Sequence, residues 1–156
     1  MNTYRMLITA RFDQPELARL KSMISGVEIF LPSEVEVKMM LSHQDWAVAA
    51  QELAAMGPRI VVIKRGEKGV LVYDRENDMY FKQSPIPGEV VDTTGAGDAF
   101  CGGFMAAYLH DPQDLPKAAR AGSISALFAI SSFGMSTLLE SKSVDGLRLV
   151  KELENM

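Results

Sequence analysis

The sequence predicts an α/β fold, a sheet with helices on its faces, and three observations carry that prediction. Ile60, Val61, Val62 and Ile63 stand in an unbroken apolar row, the pattern of a strand buried on both faces as in a parallel sheet. Helical patterns with start and stop signals precede and follow that row. A glycine-containing segment, Asp92 to Phe100, lies between a short apolar run and an amphipathic helical pattern, where α/β sheets place their ligand sites.

The elements follow in order. Tyr4 to Thr9 reads as a first strand, and a helical pattern runs from Pro15 through Leu17, Leu20, Met23 and Ile24 until Gly26 closes it. Val27 to Leu31 is strand-like and stops at Pro32. Ser33, followed three residues later by Glu36, reads as a capping box for a helix reaching Leu41. A further helix spans Asp45 to Met56, with Gly57-Pro58 as its stop. Arg59 to Lys64 is the buried strand, Gly66 and Gly69 make a tight turn, and Val70 to Tyr73 runs back out. Arg75 to Asp78 is a polar hairpin loop before the returning strand Met79 to Lys82. Ser84 to Gly88 is extended linker, and Val90-Val91 is a short strand. After Gly97 the pattern is helical through Phe100, Phe104, Ala107 and Tyr108, stopping near Asp111-Pro112. Leu115 to Ser132 is a long helix rich in small residues, and Val144 to Leu153 is a final amphipathic one.

A length of 156 residues fits one domain, residues 1–156. Hydrophobic residues at 47% supply a core, and 23% charged residues argue against disorder. The balance of 16 Lys and Arg against 20 Asp and Glu, with no basic stripe, excludes a general nucleic-acid role. One cysteine, Cys101, makes neither an internal disulfide nor a zinc site by itself, which suits a reducing compartment and points to the cytoplasm. The longest low-charge stretch, Ala121 to Leu139, is interrupted by glycines and serines, and no apolar run reaches the roughly 18 residues of a membrane span. His43 and His110 are solitary, and the ten methionines read as core filler.

The chemistry concentrates between Asp92 and Phe100. Gly95 and Gly97 have no side chains to block an approaching group, and both can take positive φ, so successive backbone N–H groups can face one concavity. The helix that follows adds its free N–H groups and the positive end of its dipole. That combination cradles an anion, and Asp98 falls in the first turn beside it. Two anions repel, so a carboxylate there makes chemical sense when it handles a proton. As general base, Asp98 would accept the proton of an alcohol while backbone N–H groups stabilise the transferring phosphoryl group. The same residues also read as a turn followed by an ordinary helix-start aspartate. Two named motifs are absent. After Gly95 and Gly97, Phe100 occupies the sixth position of the dinucleotide fingerprint, and no Walker A sequence occurs.

The stretch Asp92 to Phe104, DTTGAGDAFCGGF, closely resembles the C-terminal signature of the ribokinase-like, PfkB-type carbohydrate kinases. Lys64-Arg65-Gly66-Glu67-Lys68-Gly69 is similar to that family's nucleotide-phosphate turn, and Leu31-Pro32-Ser33-Glu34-Val35-Glu36 to its N-x-x-E element, with Ser33 replacing the family's asparagine. The resemblance implies a ribokinase-like sheet flanked by helices and ATP-dependent phosphorylation of a sugar or sugar-like alcohol. It implies Asp98 as catalytic base and the backbone of Gly95, Ala96 and Gly97 as anion hole. It places the nucleotide at Lys64, Gly66, Glu67, Gly69, Gly97 and Gly134, with Ala126 to Gly134 along the adenine pocket. Glu36 would help hold Mg2+ through water, and Asp92 and Thr94 would support a monovalent cation such as K+.

Bland alternatives stand beside these roles. Gly66 and Gly69 serve equally in a hairpin, Lys64 as a strand-end charge, Glu36 as a capping-box residue, and Asp92-Thr93-Thr94 as a turn. The residues that resemble the family cover its ATP-binding half. The fold is therefore expected to be incomplete, lacking the N-terminal half and lid, in a fragment or a truncated product. An exposed half-sheet would favour self-association. The competing function is a non-catalytic nucleotide-binding or assembly module. A hydride-transferring domain is disfavoured by the missing fingerprint.

Overall fold

In the computed structural model, the apolar row beginning at Ile60 lies at the centre of a five-stranded sheet; the structure describes residues 6–7, 19, 22–41 and 45–131. The strands are β1 (Met6–Leu7), β2 (Ile29–Phe30), β3 (Ile60–Lys64), β4 (Val70–Asp74) and β5 (Met79–Gln83), side by side in chain order. β1 with β2 and β2 with β3 are parallel, whereas β3 with β4 and β4 with β5 are antiparallel. The parallel expectation therefore holds on one side of β3 only. On the other side the short turn at Gly66 to Gly69 leaves no length for the crossover a parallel neighbour requires, so the sheet continues as a meander.

The helices are α1 (Glu34–Met40), α2 (Trp46–Ala55), α3 (Ala96–His110) and α4 (Leu115–Ile130). The capping box forms as expected: Glu36 N–H donates to Ser33 Oγ at 3.3 Å, and Ser33 N–H donates to Glu36 Oε2 at 2.5 Å. Asp45 starts α2 by accepting from the N–H groups of Ala47 and Val48 at 2.8 and 3.3 Å.

The chain divides into two compact units, Met1–Gln83 and Ser84–Met156, each described by itself. In the first, Val61 and Ile63 of β3 and Leu71 and Tyr73 of β4 bury one face of the sheet against Ala49, Ala50, Leu53 and Ala54 of α2. Ile60, Val62, Val70 and Val72, which alternate with them, are also buried, as the unbroken row requires. Arg59 pairs with Glu28, Asp74 and Glu76, and buried Asp74 accepts from Glu76 N–H and from the Asn77 side-chain amide, fixing the polar hairpin loop.

In the second unit α3 packs along α4. Phe100, Phe104 and Tyr108 recur at four-residue spacing and stack, with ring centroids 6.1 and 6.3 Å apart. The small residues of α4 let the helices approach closely, since a Cβ on Gly122 would lie 2.9 Å from the Phe100 carbonyl oxygen. Val90-Val91 is not a strand. The N–H groups of Val91 and Asp92 donate instead to the Ile130 carbonyl at 2.7 and 3.2 Å, satisfying an acceptor that the end of α4 leaves open.

The expected strand Tyr4 to Thr9 is described only at Met6 and Leu7, and the helix from Pro15 only at Arg19 and residues 22–24. His43, Gly134 and the helix Val144 to Leu153 lie outside the described residues. No helix among the described residues is long and apolar enough to cross a membrane.

Candidate functional site

The second unit carries the glycine turn. Asp92 Oδ1 accepts the Thr94 N–H at 2.9 Å, and the Thr94 backbone and hydroxyl donors together hold the Asp92 carboxyl below its ordinary range. Ala96 N–H donates to Thr93 O at 3.3 Å, and the chain enters α3 through Gly95 at φ 80° and ψ −4°, a left-handed conformation that costs other residues roughly 1–2 kcal/mol. Of Gly95 and Gly97, only Gly95 has positive φ. Gly97, expected to share it, is already helical in the first turn of α3, so its contribution is the absence of a side chain rather than an unusual backbone.

Ala99 N–H donates to Gly95 O at 2.9 Å and closes the first helical turn. Among the described residues the N–H groups of Gly97 and Asp98 have no acceptor, and they lie at the positive end of a 15-residue helix. Gly97 and Asp98 are both exposed. Asp98 makes no capping bond and has no hydrogen-bond or ion-pair partner among the described residues. Open N–H donors and a carboxylate with no partner among the described residues therefore share one helix start, an arrangement chemically suited to an anion with a base beside it.

The first unit brings together the other predicted positions. A parallel bridge joins Ser33 to Lys64, and Lys64 N–H donates to Pro32 O at 2.8 Å, so the capping box and the end of β3 are neighbours. The chain then turns through a single 3-10 turn, Gly66–Lys68, with φ of 54° at Gly66 and 75° at Gly69. Gly66 and Glu67 are exposed, Lys64 half-buried and Gly69 buried. Glu36 accepts the Ser33 N–H through Oε2. Among the described residues no group of three His, Cys, Asp or Glu could hold a metal ion. A magnesium ion fits here only as one held by a carboxylate and by nucleotide phosphates together, which is its common mode.

Sequence reading missed a cluster beside this turn. Arg65 Cζ lies 5.2 Å and Lys38 Nζ 5.4 Å from the Trp46 ring centroid, Arg65 Nε is 3.7 Å from Glu34 Oε2, and Lys38 Nζ is 2.6 Å from Glu34 Oε1. The Lys38 hydrogen bond holds the Glu34 carboxyl below its ordinary range, with the Lys38, Lys68 and Arg65 charges adding to it. The i,i+4 spacing of Glu34 and Lys38 was the only local signal, since Trp46 and Arg65 join through the fold.

Residues 2–142 match the family model described as pfkB family carbohydrate kinase. The chain belongs to that family. It is 50% identical over 93 residues to the cytidine kinase of Thermococcus kodakarensis, covering 57% of this chain and 32% of that protein. The structure of aminoimidazole riboside kinase from Salmonella enterica, complexed with aminoimidazole riboside and an ATP analog, superposes with TM-score 0.80 at 22% identity, over 94% of this chain and 52% of that one. An E. coli structure assigned as ribokinase II, in complex with ATP and Mg2+, superposes with TM-score 0.75 at 26% identity, over 88% and 44%. The sheet and helices are thus ribokinase-like, and the chain spans between about a third and a half of the length of these proteins.

Proposed function

We propose that residues 1–156 form one domain, the ATP-binding and catalytic part of a kinase acting on an alcohol of a sugar or nucleoside. Asp98 accepts the proton of the acceptor hydroxyl. The resulting oxygen attacks the γ-phosphorus of ATP, a new P–O bond forms as the bond to the β-phosphate oxygen breaks, and ADP leaves. The backbone of Gly95, Ala96 and Gly97 is the anion hole, in which the N–H groups of Gly95 and Gly97 have no acceptor among the described residues. Lys64, Gly66, Glu67 and Gly69 hold the nucleotide phosphates, and Gly134 belongs to the adenine side by its place in the sequence. Mg2+ neutralises phosphate charge when bound; Glu36 is the residue to hold it through water. Asp92 and Thr94 are the residues to support a monovalent cation such as K+.

One observation carries this reading: the exposed carboxylate of Asp98, without a partner among the described residues, stands beside N–H donors likewise open among them, at the start of a long helix entered through a left-handed glycine. Family membership and the ligands named for the solved relatives support it. The single cysteine supports a cytoplasmic setting. Self-association is proposed through the outer strand β5, where Met79 and Tyr80 are about half exposed.

The test is Asp98→Asn, assayed for ADP formation with MgATP and a panel of sugars and nucleosides. The variant should retain ATP binding and lose about 10²- to 10⁴-fold in transfer, the usual contribution of a positioned base. Undiminished turnover would remove Asp98 from its role. The second reading is a nucleotide-binding or assembly module without catalysis. It predicts ATP binding with no transfer by the wild-type chain.

A further inference from the structure

The nucleotide-phosphate turn is closed by the main chain of one residue. Arg65 N–H donates to Gly69 O at 2.9 Å, and Arg65 O accepts from Lys68 N–H at 3.1 Å, so both backbone groups of Arg65 form the base of the turn. Gly69 N–H returns to Gly66 O at 3.0 Å inside it. Whatever fixes Arg65 therefore fixes the turn.

The side chain of Arg65 is held from two helices. Its guanidinium stands over the Trp46 ring at the start of α2 and faces Glu34 in the first turn of α1, while the second Glu34 oxygen is taken by Lys38. The side chain is only 17% exposed, and Nε is buried with no hydrogen-bond acceptor among the described residues, so the pairing with Glu34 at 3.7 Å is ionic rather than a short directed bond. A charge this sheltered is attracted more strongly to the aromatic face and to the carboxylate than one in open water. A cavity of about 470 Å³, lined by Trp46, Arg65, Tyr80 and Lys82 among others, lies beside the cluster.

We propose that Arg65 is a positioning residue: clamped by Trp46 and Glu34, it holds the Gly66 to Gly69 turn in the form that receives phosphate. The inference rests on the reading of that turn as a nucleotide-phosphate site. When the clamp is lost the turn samples other conformations, and apparent affinity falls by the fraction of time the competent form is absent.

Trp46 is the only tryptophan in the sequence, so its emission reports the clamp directly. In the wild-type chain, MgATP and non-absorbing inorganic tripolyphosphate should both bind and change Trp46 emission. Arg65→Met keeps the aliphatic stem but removes the charge; it should weaken both ligands by about 2- to 30-fold and abolish the emission change. Arg65→Lys should recover part of the affinity, because it restores the cation without the planar group. Amide hydrogen exchange at Gly69 should quicken in Arg65→Met even without ligand, a readout independent of nucleotide binding. Wild-type affinity in Arg65→Met, or unchanged Gly69 exchange, would overturn the positioning role. Failure of the wild-type chain to bind either ligand would overturn the nucleotide reading, and the inference with it, whatever the exchange data show.

Discussion

Replacing Gly122 by alanine probes the seam that sets the position of α3, the helix that begins at the proposed site. A Cβ there would stand 2.9 Å from the Phe100 carbonyl oxygen and 2.9 and 3.0 Å from two atoms of its ring, closer than side-chain carbons normally approach. Neither group yields easily, because one is helix backbone and the other is a ring that is 4% exposed and stacked on Phe104. Alanine gains about 0.8–1 kcal/mol over glycine in helix propensity. Overpacking costs about 1–3 kcal/mol. Overpacking prevails, leaving a net loss of about 0–2 kcal/mol, and each kcal/mol corresponds to roughly 2–4 °C in melting temperature for a domain of 156 residues. Gly102 is the matched control: it lies on the same α3, and a Cβ there meets nothing within 4 Å, so Gly102→Ala should raise stability by up to about 1 kcal/mol. Thermal and urea unfolding followed by circular dichroism would compare the two. A Gly122→Ala variant melting at or above Gly102→Ala would refute the close-packed seam.

Ser33→Ala removes the hydroxyl that accepts the Glu36 N–H and should cost about 0.5–2 kcal/mol in urea unfolding. Gly95→Ala must adopt φ near 80° and should lose roughly 1–2 kcal/mol, measured the same way. The Asp92 carboxyl is lowered from 3.8 by donors of Thr94, so its contribution to the turn is complete above that value and disappears as pH falls through the lower folded one. In a carboxyl carbon NMR titration Thr94→Val should therefore move the Asp92 midpoint upward, and activity between pH 5 and 8 should not depend on this group. Sedimentation at rising concentration should show self-association, diminished when exposed Tyr80 on β5 is replaced by lysine.

Much of this was legible where the signal is local. Ile60 to Ile63 announces a strand buried on both faces, Ser33 with Glu36 announces a capping box, and Asp45 with Gly57-Pro58 brackets α2; each depends on neighbours within a few residues. The direction of β4 was readable from the short Gly66 to Gly69 turn. Val90-Val91 misled because β-branched residues suggest a strand, whereas the Val91 backbone had a better partner in Ile130 at the open end of α4, 39 residues away in sequence and so invisible to periodicity. Gly97 misled in the same way: its sequence permits positive φ, yet only Gly95 needs it to enter the helix. The clamp at Arg65 was not legible at all, since Glu34, Trp46 and Arg65 meet only after α1 and α2 pack on the sheet.

The measurement that bears most directly on the account is a calorimetric titration of MgATP into the wild-type chain and into Gly97→Val. Gly97 is exposed in the first turn of α3, so valine there should leave folding nearly intact while placing a branched side chain over the proposed phosphate donors. The account predicts binding by the wild type, at least about tenfold weaker in Gly97→Val, a difference of about 1.4 kcal/mol. Equal affinities in two equally stable proteins, or no binding by the wild type, would contradict it.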